Sequence, residues 1–358
     1  GKADNGIEYG SEIKFDIDTS AGFDSYRAAE EEKDTTNKYH DGKSVRLHHA
    51  NVYVKSGMGH VALGGTKSAA HSLKVVAPSI ATGGAVDGDW TNYVNMEVGQ
   101  VIRADTTPTT NITSAAVAAG AFEKAVYLTG DVLPTDASTA SKYSNKIAFY
   151  TPKMSGFQAG ISYGLDTNNY GGHSGFSSKY STDATRPDGV RNNVSVAATY
   201  EHQMNDMLAQ FSVAGEFGDT KNEQGENNFR DVKAFEVGAS VCADEFKLGG
   251  TYGSWGKSLN HKDLAVAAPT TDVAVQINER NNSKGYFWTL GATYVNGPVS
   301  LGANYYASKL QGNKVRTFGL AAEYALAEGL TTYVEANFFK LTPKASGVYQ
   351  LAEAVAGG

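Results

Sequence analysis

The stretch NKIAFYTPKMSGFQAGISYGLD, residues 145–166, decides the fold. It holds two runs of alternating residues joined by Thr151–Gly156. Ile147, Phe149 and Thr151 fall on one face, followed by Phe157, Ala159, Ile161 and Tyr163. The positions between them are Lys146, Ala148, Tyr150, Gln158, Gly160, Ser162 and Gly164. A period of two is the signature of a strand with two unlike faces. In a soluble sheet the apolar face would turn inward, so its direction here settles what kind of protein this is.

The same rule runs along the chain. In Ile7–Asp18 the odd positions Ile7, Tyr9, Ile13, Phe15 and Ile17 oppose Glu8, Gly10, Glu12, Lys14 and Asp16. Val194/Val196/Ala198/Tyr200 oppose Ser195/Ala197/Thr199/Glu201, and Phe235/Val237/Ala239/Val241 oppose Glu236/Gly238/Ser240/Cys242. Counted this way, the sequence holds thirteen strands. Their connections sort by length. Tight ones lie at Ser56–Gly59, Pro152–Gly156, Gln203–Asp206, Ala243–Glu245, Asn296–Gly297 and Ala327–Gly329. Long ones lie at Thr19–Lys43, Thr66–Lys142, Thr167–Arg191, Gly218–Arg230 and Gly256–Ser283, with one short member near Gln311–Asn313. Short turns at one end and long polar loops at the other describe an antiparallel up-and-down transmembrane β-barrel.

Two further features agree. Aromatic residues sit near strand ends on the apolar face (Phe157, Tyr163, Tyr200, Phe246, Tyr252, Tyr294, Tyr305, Tyr324), where rings favour the headgroup level. The other face carries Glu8, Glu12, Glu201, Glu216 and Glu236, too many carboxylates for a dry core but natural for a water-filled lumen. A large soluble sandwich predicts the same alternation, but neither the sorted loops nor the rim aromatics.

Composition bounds the reading. Gly (40) and Tyr (20) are abundant, Pro (8) is scarce and charged residues are only 19%, a mix that suits strands over helices. A net charge of −7 argues against a nucleic-acid partner. One cysteine, Cys242, excludes an internal disulfide framework. No window approaches eighteen uninterrupted apolar residues, and no leader precedes the first strand. The expectation is a single barrel domain over 1–358, with 66–142 as a long loop between strands.

A long stretch without a clear strand is improbable in a compact domain unless it works for the protein. This loop carries Asp87, Asp89, Asp131 and Asp136. Folded into the lumen, these acids would face a basic wall of Lys14, Lys55, His60 and Lys146, and a transverse field would filter solutes by size and charge. Plain solvation of lumen side chains is the other reading of those four bases. The excess of lumen acids favours cations.

The run GMGHVALGGTKSAAHSLKVVAPSI (57–80) resembles the stretch leading into constriction loop three of the Gram-negative general porins, particularly their alphaproteobacterial members. NKIAFYTPKMSGFQAGISYGLDT (145–167) resembles the hairpin after that loop, and ADNGIEYGSEIKFDID (3–18) resembles an early strand. The resemblance implies a sixteen-stranded barrel in the Gram-negative outer membrane, bedded in lipid and lipopolysaccharide. It also implies a homotrimer through which small hydrophilic solutes and ions diffuse passively. His60 stands where these porins often carry an arginine on the wall. Relative to the family, two strands before NGIEYG and one after the last are missing, so the sequence reads as a piece of a longer protein. Two alternatives remain open: a substrate-selective channel with a track of Tyr53, Tyr150, Tyr306 and Tyr333, and a structural or adhesive barrel plugged by 66–142.

No enzyme is expected. Gly160-Ile-Ser162-Tyr-Gly164 matches a nucleophile-elbow pattern, but Ser162 sits mid-strand rather than at a strand–turn–helix corner. GTYGSWGKS (250–258) has five residues where a phosphate-binding loop needs four. His48 and His49 are adjacent, so on a regular strand they point to opposite faces. Asn193-Val-Ser195 fits a glycosylation sequon inside a strand and carries no weight. No resident cofactor is expected. The acids Glu30–Glu32 with Asp34, or Asp87 with Asp89, suit a loop-bound Ca²⁺ against lipopolysaccharide phosphates, and solvated loop charge is their other reading.

Overall fold

The structure, a computed structural model, describes residues 1–17, 45–80, 100–102, 122–124, 127–137, 139–168, 189–222, 229–260, 262 and 282–344. Asp87, Asp89, Glu30–Glu32 and Asp34 lie outside the described residues.

Among these residues fifteen strands follow in chain order. They are β1 (Glu8–Ile17), β2 (Val45–Ser56), β3 (Gly59–Gly65), β4 (Gln100–Ile102), β5 (Phe122–Lys124), β6 (Asn145–Tyr150), β7 (Phe157–Asp166) and β8 (Val190–Met204). Then come β9 (Met207–Thr220), β10 (Val232–Ala243), β11 (Phe246–Gly256), β12 (Gly285–Asn296), β13 (Val299–Leu310), β14 (Asn313–Ala327) and β15 (Leu330–Thr342). Among the described residues two short α-helices, α1 (Ala69–Leu73) and α2 (Thr139–Lys142), lie between β3 and β6. Thirteen strands form one sheet in which every neighbour in space is the neighbour in sequence, except that β3 pairs with β6 across the long insertion. β4 and β5 make a separate two-stranded ladder inside that insertion. All pairs are antiparallel, and the thirteen strands are those the alternation predicts. Among the described residues no ladder joins β1 to β15.

The turns explain the order. At one end, two-residue connections such as Asn205-Asp206 and Asp244-Glu245 reverse the chain. Asn205 and Asp244 both have φ of 49°, a left-handed conformation their short polar side chains tolerate. The opposite end carries the long connections, and its one tight member, Gln311-Gly312, has φ of 51° and 89°.

Polarity is inverted relative to a soluble sheet. Ile147, Phe149, Ile161, Val196, Phe211, Val213, Val237, Leu248, Leu290 and Phe318 are exposed. The residues between them are covered: Lys146, Ser162, Ser195, Ser212, Glu216, Glu236, Thr251, Thr289, Asn304 and Thr317 are all buried. Eleven of the thirteen sheet strands, from β7 (10 residues) to β8 and β14 (15 residues each), are long enough to cross a hydrocarbon core when tilted. β3 (7 residues) and β6 (6 residues), which flank the long insertion, are shorter. Among the described residues no helix is long and apolar enough to cross a membrane. A bare apolar face of this extent belongs in lipid, where closed strand ladders leave no backbone group unpaired.

One local departure corrects the sequence reading. The β1–β2 register slips between Lys14 and Phe15, which pair with His49 and Leu47, so His48 is an extra residue bulged out of the ladder. The bulge breaks the strict alternation. Instead of pointing apart, the rings of His48 and His49 lie 5.2 Å apart edge-on, and both meet Tyr143.

Candidate functional site

The covered face is covered by the chain itself. From Ser68 to Ile80 the chain crosses the polar face of the sheet strand by strand. Ser68 caps α1 by accepting from the His71 amide, and the helix lays Ala69, Ala70 and Leu73 onto the wall. The Ala69 amide donates to Ser162 Oγ on β7 (3.0 Å), Ala70 to Ser195 Oγ on β8 (2.9 Å) and Val75 to Ser212 Oγ on β9 (2.8 Å). Thr251 on β11 donates to the Val75 carbonyl (3.1 Å). Glycines make room between these staples. A Cβ on Gly238 of β10 would land on the Val75 carbonyl oxygen, and one on Gly291 of β12 on that of Pro78. On Gly302 of β13 it would meet Ile80 Cγ1 at 2.6 Å. Only a residue without a side chain lets another backbone approach so closely.

The return pass, Tyr127–Asp136, lies beside the first. Tyr306 of β13 donates to the carbonyls of Leu128 (2.8 Å) and Gly130 (3.1 Å), Ser308 to Leu128 (2.6 Å) and Trp255 Nε1 to Val132 (2.8 Å). Thr135 donates its amide (3.1 Å) and its hydroxyl (2.6 Å) to the Glu216 carboxylate on β9. The two passes are tied together: Ser68 Oγ donates to Asp136 (2.8 Å), and Lys74 Nζ donates to the Asp131 carboxylate (3.1 Å) and carbonyl (2.7 Å). Behind them Tyr127, Leu128, Trp255, Phe287, Tyr306 and Val315 form an apolar cluster on the inner wall. The pair of passes is a strap.

Several sequence-predicted site residues are therefore not in water. Asp131 and Asp136 are buried between strap and wall, 2% and 3% exposed, instead of facing an open lumen as the sequence suggests. Burial pushes both carboxyl groups above their ordinary range, against the pull of Lys74 on Asp131 and of Lys146 on Asp136. Burial opposes the charge on Lys74, yet Asp131 and then Glu236 hold its ammonium above the ordinary value. Lys146 is buried as well. Its ammonium donates to the carbonyls of Thr66 (2.9 Å), Ser141 (3.2 Å), Lys142 (2.7 Å) and Ser144 (3.2 Å). The last three surround the C-terminal end of α2, where a cation is favoured. Glu216 and Glu236 are buried under the strap rather than solvated, so they add nothing to an acidic lumen. The tyrosine track also breaks. Tyr306 is fully buried and Tyr150 nearly so, its hydroxyl donating to Ser72 Oγ (2.9 Å); Tyr333 lies exposed on β15. Ser162 and Asn193 are likewise structural, Asn193 donating to Thr135 (3.1 Å).

The remaining predicted residues fall into two places. Near the tight-turn end, Glu8 faces Lys2 (4.0 Å), Glu201 pairs with Lys153, and the Lys55 ammonium sits 5.0 Å over the Tyr53 ring. On the other side of the strap's base lies a cavity of about 460 Å³, walled by β1–β3, β6 and β7. Glu12, Lys14 and His60 line it, together with Lys67 and Tyr143, which the sequence does not single out, and His49, which the sequence raises only beside His48. Glu12 accepts from Asn51 (3.3 Å) and lies 3.4 Å from His49 Nε2. Burial, then Lys142 and Lys74, hold the Lys67 ammonium below its ordinary pKa. His71 on α1 is driven down to about 2 by burial and by Lys74, and its Nδ1 is buried without a partner among the described residues. The described residues include no group of three or more side chains able to hold a metal ion.

An inverted sheet with its polar face strapped from within defines a class, the membrane-spanning β-barrel. Residues 1–342 match the family described as Gram-negative porin, and the chain belongs to that family. An uncharacterized protein of Rickettsia bellii is 26% identical over 345 residues, covering 84% of this chain and 71% of its own length. One of Rickettsia conorii is 24% identical over 338 residues, with the same coverage. Among solved structures, the anion-selective porin from Comamonas acidovorans is similar at 18% identity and a TM-score of 0.43, covering 85% of this chain and 70% of that one. A mutant of Rh. blastica porin gives 15% and 0.47, covering 94% and 81%. The outer membrane channel DcaP of Acinetobacter baumannii gives 12% and 0.49, covering 94% and 75%. The protein is thus a bacterial outer-membrane β-barrel that forms a channel for passive diffusion, a channel rather than an enzyme.

Proposed function

We propose that this channel is a general diffusion pore for small hydrophilic solutes and ions, that 66–142 narrows it from within, and that three chains assemble around a common axis. The observation that carries the reading is the inverted sheet whose polar face is stapled to the strap. Lipid lies outside it, with water and a fixed obstruction inside. In this reading Lys14, His60 and Lys67 form the basic edge of the open path, and Asp87 and Asp89 supply acids to the constriction. Asp131, Asp136, Glu216, Glu236 and Lys146 hold the strap. Lys55, Glu8 and Glu201 belong to the short-turn mouth. The homotrimer rests on family likeness. Catalytic activity and a resident cofactor have no part in the reading, because Ser162 is occupied as a staple and diffusion needs neither. At the long-loop end the neighbour is lipopolysaccharide, with Ca²⁺ bridging its phosphates to the acids at 30–34.

Single-channel recording of natively extracted protein in a planar bilayer tests this. Ohmic steps grouped in threes are expected. Folded protein that stays silent would move the assignment to a plugged structural barrel.

A further inference from the structure

The cavity between β1 and the base of the strap has a composition that plain diffusion does not require. Lys14 and Lys67 both open onto it, and neither forms an ion pair among the described residues. Its one acid, Glu12, is already engaged by Asn51 and His49. Two imidazole nitrogens on its wall, His49 Nδ1 and His60 Nε2, are buried and have no partner among the described residues. His49 is 6% exposed, so its unmet nitrogen cannot be satisfied by bulk water. Flat rings complete the lining: His49 stacks on Tyr143 with centroids 4.5 Å apart and planes 6° apart, and His60 lies between Tyr53 (5.9 Å) and Tyr150 (5.6 Å).

We propose that this cavity is a saturable site for a small organic carboxylate, held on its way through the channel between Lys14 and Lys67. The proposal rests on the channel reading above. Two ammonium groups without an ion pair among the described residues, Lys67 only partly offset by Asp136 and Glu12, attract an anion, and charge-assisted hydrogen bonds fix it. The orphaned ring nitrogens add neutral hydrogen bonds of either sense, according to tautomer. The stacked rings suit an apolar or planar body attached to the carboxylate, which favours an organic acid over a compact inorganic anion. Lys67 gains most, since the repulsion from the cations around it is relieved when an anion arrives. Because the cavity opens on the lumen, binding stays weak enough for release, as conduction requires.

The test uses the full natively extracted protein in planar bilayers, with potassium benzoate titrated against constant ionic strength. The expected result is an ion current that falls with benzoate along a saturating curve. Lys14→Gln and Lys67→Gln should each raise the half-blocking concentration by roughly tenfold or more. Lys247→Gln, on β11 away from the cavity, should leave it unchanged. Open channels whose current does not saturate with benzoate, or a block indifferent to both lysine substitutions, would overturn the proposal while leaving the channel intact. Inorganic phosphate blocking as strongly as benzoate would overturn the carboxylate class. Absence of channels altogether would strike the diffusion-pore reading instead.

Discussion

Replacing Lys74 by Met isolates the electrostatic half of the strap's attachment. The side chains of Lys74 and Asp131 are 12% and 3% exposed, and their charged atoms are 3.1 Å apart. At an effective dielectric of about 20 that separation gives a gross attraction of about 5 kcal/mol. The net value of such a pair is smaller, because both ions have lost water. Deleting one partner is the costly change, about 3–5 kcal/mol, since the other charge stays buried alone. Asp131 already has one carboxylate oxygen, Oδ2, without a partner among the described residues, and Lys74→Met also removes the bond to Oδ1.

The loss falls on the strap and leaves the sheet alone, because neither Lys74 nor Asp131 lies in a ladder strand. A local loss of about 3–5 kcal/mol multiplies the undocked population roughly a hundred- to several-thousand-fold. Proteolysis of native protein in detergent reads that population directly when reclosing is fast. Cleavage mapped by mass spectrometry within 66–142 should accelerate by about that factor, with β-sheet circular dichroism unchanged. The double variant Lys74→Met/Asp131→Leu should recover most of the resistance, since it leaves no lone buried charge. A single variant as resistant as the parent, or a double variant as labile as the single, would refute the account of the pair.

Other parts of the structure give sharper or opposite outcomes. Gly238→Val places a side chain where the Val75 carbonyl sits, so the strap should lift from β10 and single-channel conductance should rise while the barrel still forms. His71→Gln tests the pH response of docking. The folded pKa of His71 is lowered from 6.5 to about 2, so its contribution to stability is full above its ordinary value and shrinks as pH falls below it. The slope of that loss is about 1.4 kcal/mol per pH unit. Asp131 and Asp136, raised by burial, act in the other sense, stabilising docking at low pH and losing that contribution as pH rises through their shifted values. Strap cleavage in the His71→Gln variant should therefore be flatter between neutral pH and mildly acidic pH than in the parent, or reversed, and an unchanged pH profile would count against the buried imidazole. Val213→Arg puts a charge on the bare face. It should cost up to about 2–4 kcal/mol of barrel stability in folding assays into lipid vesicles, whereas a surface position of a soluble sheet would tolerate it.

The sheet was legible because the physics that builds it is local. Alternation at Ile147/Phe149 and Phe157/Ile161, with two-residue turns such as Asn205-Asp206, specifies strands, faces and order without any knowledge of distant residues. The strap was not legible, for a reason the same residues show. Ser162, Ser195 and Ser212 read as small hydrophilic lumen residues, and nothing in their neighbourhoods distinguishes a serine facing water from one accepting a backbone amide 93 to 137 residues away in sequence. Glu216 and Glu236 fail in the same way: period two assigns a face and is silent about what lies against it. The correct inference that carboxylates on that face need a polar environment left two environments open, water and a hydrogen-bonded strap, and the structure supplies the second. A clue did exist in the glycines. Gly238, Gly291 and Gly302 occupy inward positions on three of the four strands from β10 to β13, where solvated lumen residues would have no need to lack a side chain. A row of inward glycines across neighbouring strands is the sequence trace of a backbone lying on the wall. Where that row runs the strap covers the wall, and the cavity lined by Lys14, His60 and Lys67 lies beside the strap's base.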